Sequence, residues 1–338
     1  MISRTRPLGI FFIVVASCSY FQNEPGGNGT SRMDLVRALV EDGGTRIDRF
    51  HENTSDKSFA GGHYYSDKAP GSSFLAVPAY AARFAILQAR HGRESARRMA
   101  LDAGSKLGLP LCTLLAVVLP WALAVTLFAG LAERLAGAAR PALFAAASLG
   151  LGSLGFPYAT VYFGHSLCAA LLFLSFGLLL RERLRSGLGN GAPRTSESEL
   201  RAGRGRDRAA WRPVNVAAAG FAAGYAVVTE FPAAVPAAPI GAYLLWNVRS
   251  LRGVAPFALA GLVPAIPLAI YNEVSFGSPW KIGYASLAEP YFVEMGQGFL
   301  GLTYPRPAVL LEILFGVYRG LLPLSPVFLL VPAGALRM

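Results

Sequence analysis

Residues Gly61-Gly62-His63-Tyr64-Tyr65-Ser66-Asp67-Lys68-Ala69-Pro70-Gly71 concentrate an imidazole, two phenols, a hydroxyl, a carboxylate and an ammonium in one short run of a strongly apolar chain. Asp48, Asp56 and Lys57 lie just upstream, and Arg32 further back. These side-chain types suit group transfer from a phosphate-bearing donor: a carboxylate takes the proton from an acceptor hydroxyl, and cations steady the departing phosphate. Asp48, Asp56 and Asp67 are the candidate bases, with Asp48 and Asp67 favoured. Arg32, Lys57 and Lys68 are the candidate phosphate ligands, on a water-facing loop. His63, Tyr64 and Tyr65 can bind hydroxyls, stack on a ring or anchor the loop at a membrane interface, where tyrosines are common. In Asp56-Lys57 and Asp67-Lys68, neighbours on extended backbone point to opposite sides. That predicts one member of each pair facing a pocket while the other braces the loop.

Two later residues belong with this group. His165 stands at a predicted span entrance between Gly164 and Ser166. Glu230 ends an apolar run, where an acid is costly unless it has a function or meets water.

The elements that must position these groups are apolar helices. The chain of 338 residues is 53% hydrophobic and 15% charged, and its apolar residues fall in runs near the ~20 needed to span a bilayer. They are Leu107 to Leu131, Leu143 to Tyr158, Tyr162 to Leu180, Val214 to Val228, Val235 to Val248, Val254 to Ile270 and Leu321 to Ala335. With an N-terminal anchor over residues 1–22, this predicts an all-α, polytopic transmembrane bundle of about eight spans. The net charge of +11 is carried largely by arginines between apolar runs, a topology signal that argues against nucleic acid as a partner. Residues 181–213 hold nine arginines against four acids in Arg181 to Arg212, so this Gly/Ser/Pro-rich linker is predicted cytoplasmic. Span parity then makes residues 23–106 one large external loop, with Ser73 to Leu87 a juxtamembrane helix lying on the outer surface. Residues 107–338 form the bundle, and 272–319 a further external loop whose glycine- and aromatic-rich part packs over the pocket. Cys18, Cys112 and Cys168 lie in apolar runs without metal-ligand spacing and predict neither a disulfide nor a zinc site.

A single span, a charged external loop ending in Lys-x-Pro, and then a helix bundle resembles the GT-C superfamily of integral-membrane glycosyltransferases. It is most similar to the family 39 branch, which includes protein mannosyltransferases and lipid A aminoarabinose transferases. Tyr65-Ser66-Asp67-Lys68-Ala69-Pro70-Gly71 looks like that family's Lys-Pro-Pro segment with alanine in the middle, and Ser31-Arg32 with Leu35 to Gly43 looks like its first external helix. The resemblance implies that Lys68 contacts the donor phosphate. The chain departs from the pattern where the family usually has an acid before the arginine, for Thr30 and Ser31 stand there. On the next external turn, where a second family acid is common, it offers His165.

Together these features predict a transferase at the external face of a bacterial inner membrane, moving a sugar from a polyprenyl-phosphate donor to a lipid, glycan or protein acceptor among membrane lipids. No cofactor is assigned, with a divalent metal as the alternative. The alternatives are a transporter or lipid flippase, or a non-catalytic relative of the same architecture.

Overall fold

Runs of Ala, Leu, Val and Phe punctuated by Gly and Pro become helices. The computed structural model describes residues 5–101, 108–186, 211–290, 297–298, 303–304, 306–318 and 320–336. Most of them are helical. Helix α1 is Thr5–Tyr20 and α2 is Gly26–Arg37. A π-turn at Ala38–Asp42 prolongs α2 until Gly43 closes it in the left-handed conformation. After a β-hairpin come α3 (Gly71–His91) and α4 (Arg93–Leu101). The short α5 (Gly108–Thr113) runs through a second π-turn, Leu114–Val118, into α6 (Leu119–Ala136). There the Leu119 amide bonds the Leu114 carbonyl five residues back. Next are α7 (Ala139–Leu151), α8 (Gly155–Ala159), α9 (Gly164–Arg185), α10 (Pro213–Thr229), α11 (Ala234–Val248), α12 (Leu251–Leu262) and α13 (Ala265–Phe276).

Two of the described helices are long and apolar enough to cross a membrane, Gly108–Ala136 and Leu251–Phe276. Leu8–Tyr20, Ala139–Leu151 and Pro213–Thr229 are shorter apolar helices. The expected final span, Leu321 to Ala335, does not form as one helix. Instead α14 (Pro307–Phe315) is followed by α15 (Leu321–Leu324), a 3₁₀ segment Pro326–Leu330 and α16 (Val331–Ala335). Pro323, Pro326 and Pro332 each lack a backbone N–H and crowd the preceding turn, which breaks a continuous ladder.

The mostly helical chain agrees with the all-α expectation, and its two strands form one hairpin, β1 (Lys57–Ala60) and β2 (His63–Ser66), among the described residues. Its register pairs Lys57 with Ser66 and Ala60 with His63. Gly61 and Gly62, at φ 56° and 84°, make the two-residue turn that demands positive φ at both central positions and matches the strand twist.

Side-chain bonds define the two ends of the bundle. At one end the foot of α1 meets the start of α5 and the end of α8: Gln22 Nε2 donates to the Pro110 carbonyl, and Asn23 Nδ2 to Thr160 Oγ1 at 3.1 Å. The start of α3 and the end of α10 lie here too, because the Tyr225 hydroxyl donates to the Gly71 carbonyl at 2.9 Å. At the opposite end Glu182 of α9 accepts from Arg185, the Arg212 amide and Asn215. Between them, Val14, Trp121, Val125 and Ala146 pack α1, α6 and α7 together. A second cluster, Tyr80 and Phe84 with Cys112, Ala116 and Tyr162, seats α3 on the α5–α6 helix. Burying each such aromatic is worth roughly 1.5–3 kcal/mol, so α3 is docked to the bundle along its inner face.

Candidate functional site

The hairpin is what assembles the site. Asp56 immediately precedes β1 and Asp67 immediately follows β2, so the Lys57–Ser66 register brings two carboxylates distant in sequence to the same end of the ladder. Lys68 Nζ lies between them, 3.1 Å from Asp56 Oδ1 and 3.0 Å from Asp67 Oδ2. The expected divergence of Asp67 and Lys68 is overturned: the chain leaves extended geometry after Ser66, and their side chains bond each other. Nor is Lys68 a solvated loop lysine, since its side chain is 4% exposed, against 0% for Asp67 and 11% for Asp56. Burial pushes the Asp67 carboxyl above its usual range; the Lys68 ammonium opposes this and the Asp56 charge reinforces it. Among the described residues Asp67 Oδ1 finds no hydrogen-bond partner.

Beside this trio is a second one. Arg32, fully buried in α2, donates through Nη2 to Glu230 Oε1 at 2.6 Å and through Nη1 to the Ala69 and Thr229 carbonyls and Ser72 Oγ. Its Nε bonds Asn28. The guanidinium thus ties α2 to the start of α3 and the end of α10, a fastening role beyond the phosphate contact expected of it. His165 Nδ1 lies 3.1 Å from the same Glu230 oxygen. Burial works to raise the Glu230 carboxyl, but the Arg32 charge and the His165 bond outweigh it and hold the group below the usual glutamate range. His165 is exposed, and its ring lies 5.0 Å from Tyr158 and 5.7 Å from Phe163.

A strap from the C-terminal half covers the hairpin. Ser58 Oγ donates to the Gly283 carbonyl, and the Ala288 amide to the Lys57 carbonyl at 3.0 Å. A Cβ at Gly283 would come within 2.8 Å of Asp67 Cα, so only glycine lets the strap approach the buried acid. Tyr284 follows it into contact with Ala69 and Phe231.

The remaining candidates lie elsewhere. Asp48 does not join the trio: it accepts from the Tyr64 amide at 2.7 Å and pairs with His63 Nδ1 at 2.7 Å on the outer side of the hairpin. Its slight burial works to raise its carboxyl, yet these two bonds prevail and hold it below the usual range. Tyr64 stacks on His51 with ring centroids 4.2 Å apart. Lys57 turns away from Asp56, as strand alternation requires, donating to the His51 carbonyl at 2.9 Å. Tyr65 is buried against Tyr271 and Phe276, a packing residue without access to a ligand.

Two further buried acids lie in α2 and its π-turn. Glu41 accepts from Arg37 Nε, Arg49 Nη2 and, at 2.6 Å, the Tyr80 hydroxyl; only the i,i+4 spacing to Arg37 hinted at this. Asp34, two residues on from Arg32 in α2, has Oδ2 unpartnered among the described residues. Burial pushes its carboxyl up to about 7. The folded state therefore holds a proton that the unfolded chain, near the ordinary aspartate value, releases, so stability falls as pH rises from about 4 to 7. Asp34→Asn removes that penalty, and its melting temperature in detergent is expected to exceed the parent's at pH 8 and to match it near pH 4.

Among the described residues no cluster of three or more acid, histidine or cysteine side chains is placed to hold a metal ion. The carboxylates of Asp56 and Asp67 are already engaged by Lys68. No protein-family model, curated protein or solved structure matches the chain.

Proposed function

We propose that this protein is a membrane glycosyltransferase of the GT-C type, transferring a sugar from a polyprenyl-phosphate donor at the external face of a bacterial inner membrane. The observation that carries the reading is the buried Asp56–Lys68–Asp67 trio beside Arg32–Glu230–His165. A base and two cations meet there at one end of a helix bundle, under a strap that limits water.

The chemistry follows from the roles such groups can take. The acceptor hydroxyl oxygen bonds to the anomeric carbon as the carbon–oxygen bond to phosphate breaks, and the phosphate departs with the electron pair. Asp56, the most exposed carboxylate of the trio, receives the hydroxyl proton. Lys68 steadies the departing phosphate, and Asp67 holds the ammonium in place from below. Arg32 adds positive field while fixing the position of Ala69, next to Lys68. Glu230 and His165, with the Tyr158 and Phe163 rings, form the polar and aromatic wall on the bundle side.

Topology supports the same picture. The site end gathers the foot of α1 and the starts of α3, α5 and α9, whereas Arg134, Arg140, Arg181, Arg183, Arg185, Arg212, Arg249 and Arg252 belong to the opposite end. The positive-inside rule makes that basic end cytoplasmic and the site external. On this reading α1, the α5–α6 helix, α7 with α8, α9, α10, α11 and α12 with α13 would make seven crossings among the described residues, and the broken C-terminal segment no regular eighth.

The test is transfer of radiolabelled sugar from a panel of polyprenyl-phosphate donors by purified protein in liposomes. Turnover of at least one donor is expected; release of none, with a folded protein, overturns the reading. Labelling of intact cells with an impermeant maleimide is expected to modify Glu52→Cys and to spare Ser198→Cys.

A further inference from the structure

Far along α3 from the carboxylate trio, the helix presents a second surface. Leu75, Pro78, Ala82, Ala85, Ile86 and Ala89 are all exposed, and their spacing of three and four residues makes one continuous apolar stripe. Beside it a cavity of about 480 Å³ opens between α3 and the π-turn of α2, walled by Val40, Ala81, Phe84, Ala85 and Ala89 with the polar Gln88; Arg93 is the one charged residue lining it. That volume falls within the ~300–1,000 Å³ of small-molecule sites.

The charges around this groove are unbalanced. From Gln88 to Leu101 the sequence carries four arginines against one acid. Arg97 is neutralised, donating to Asp42 Oδ1 at 2.8 Å. Arg93 is not: its hydrogen bond goes to the uncharged Glu41 carbonyl at 2.7 Å, and no carboxylate pairs with it among the described residues. Arg90 and Arg98 are exposed alongside. A groove that sets alanine, valine and phenylalanine side chains beside Gln88 and a guanidinium with no carboxylate partner is complementary to an anionic head on a hydrocarbon tail.

We propose that this groove binds an anionic glycerophospholipid of the external leaflet, with an acyl chain against Ala81, Ala85 and Ala89 and the phosphate on Arg93. The occupant is distinct from the sugar donor: Gly71 and Ala85 are fourteen residues apart on one helix, about 21 Å at ~1.5 Å per residue, which separates the groove from Lys68. The site requires only that α3 and α4 lie at the membrane surface and no transfer activity. It also gives the external arginines of α4 a partner, since on that face the positive-inside rule would disfavour them.

Full-length protein in neutral detergent, titrated separately with phosphatidylglycerol, phosphatidylethanolamine and a polyprenyl phosphate, reports bound lipid by native mass spectrometry. Phosphatidylglycerol is expected to be retained over phosphatidylethanolamine, and Arg93→Gln to weaken it about fivefold, the effect of one basic residue at a lipid surface. Ala85→Trp, which fills the groove, is expected to abolish the preference at an unchanged melting temperature. Equal retention of the two phospholipids, or undiminished phosphatidylglycerol binding by Ala85→Trp, overturns the proposal even if Arg93→Gln proves unstable. Displacement of phosphatidylglycerol by polyprenyl phosphate, lost in Ala85→Trp, would overturn it in favour of a donor-binding groove.

Discussion

Asp56→Asn is expected to lower single-turnover transfer from a polyprenyl-phosphate donor by about 10²–10⁴-fold, the range for removing a positioned general base, while melting close to the parent. Asparagine keeps the size of the side chain and can still accept from Lys68, so the trio survives without its basicity. Asp48→Asn is expected to stay within a few fold of the parent rate, because Asp48 braces the Tyr64 amide and His63 on the outer side of the hairpin. The pair of rates decides between the two carboxylates. A fully active Asp56→Asn beside a crippled Asp48→Asn would move the base to the outer side.

Lys68→Ala has the largest expected effect on folding. Removing one partner of a buried ion pair costs about 3–5 kcal/mol because the other charge stays behind, and here two carboxylates are left, one with no exposed surface. A marked drop in melting temperature is expected. Adding Asp67→Asn to Lys68→Ala takes away the buried charge and is expected to restore much of the lost stability. Transfer is expected to stay depressed by roughly 10²–10³-fold, as when a group stabilising developing charge is lost. Recovery of both properties would mean that Lys68 is structural; recovery of neither would mean that Asp67 is not the charge it neutralises.

The helices were legible because apolar composition and Pro/Gly punctuation act locally. The grouping of Asp56, Asp67 and Lys68 was legible only as a list of candidates, because it depends on strand register, a tertiary quantity. Its signal was present: Gly61-Gly62 between Phe59 and Tyr64 is a two-residue hairpin turn between aromatic positions, masked by the surrounding polar residues. That Asp48 stands apart from this grouping was not legible, because proximity in sequence says nothing about which side of a hairpin a residue occupies. Glu41 was not legible because an acid at the end of a short helix reads as solvated until the helix is seen packed. At the C-terminus hydropathy outweighed three prolines, and the backbone obeyed the prolines.

The π-turn at Leu114–Val118 has a consequence for how this chain tolerates change in length. A π-turn is one residue more than an α-helix needs for the same advance. Deleting one residue there would let the helix rewind as a regular α-helix, with α5 and α6 keeping their facing sides. The same deletion within Leu119–Ala136 would rotate everything beyond it by about 100° and turn residues such as Val125 and Ala129 away from their partners. The bundle therefore carries a built-in spare residue between the site end and the rest of its longest helix, a place where insertions and deletions can be absorbed without disturbing either.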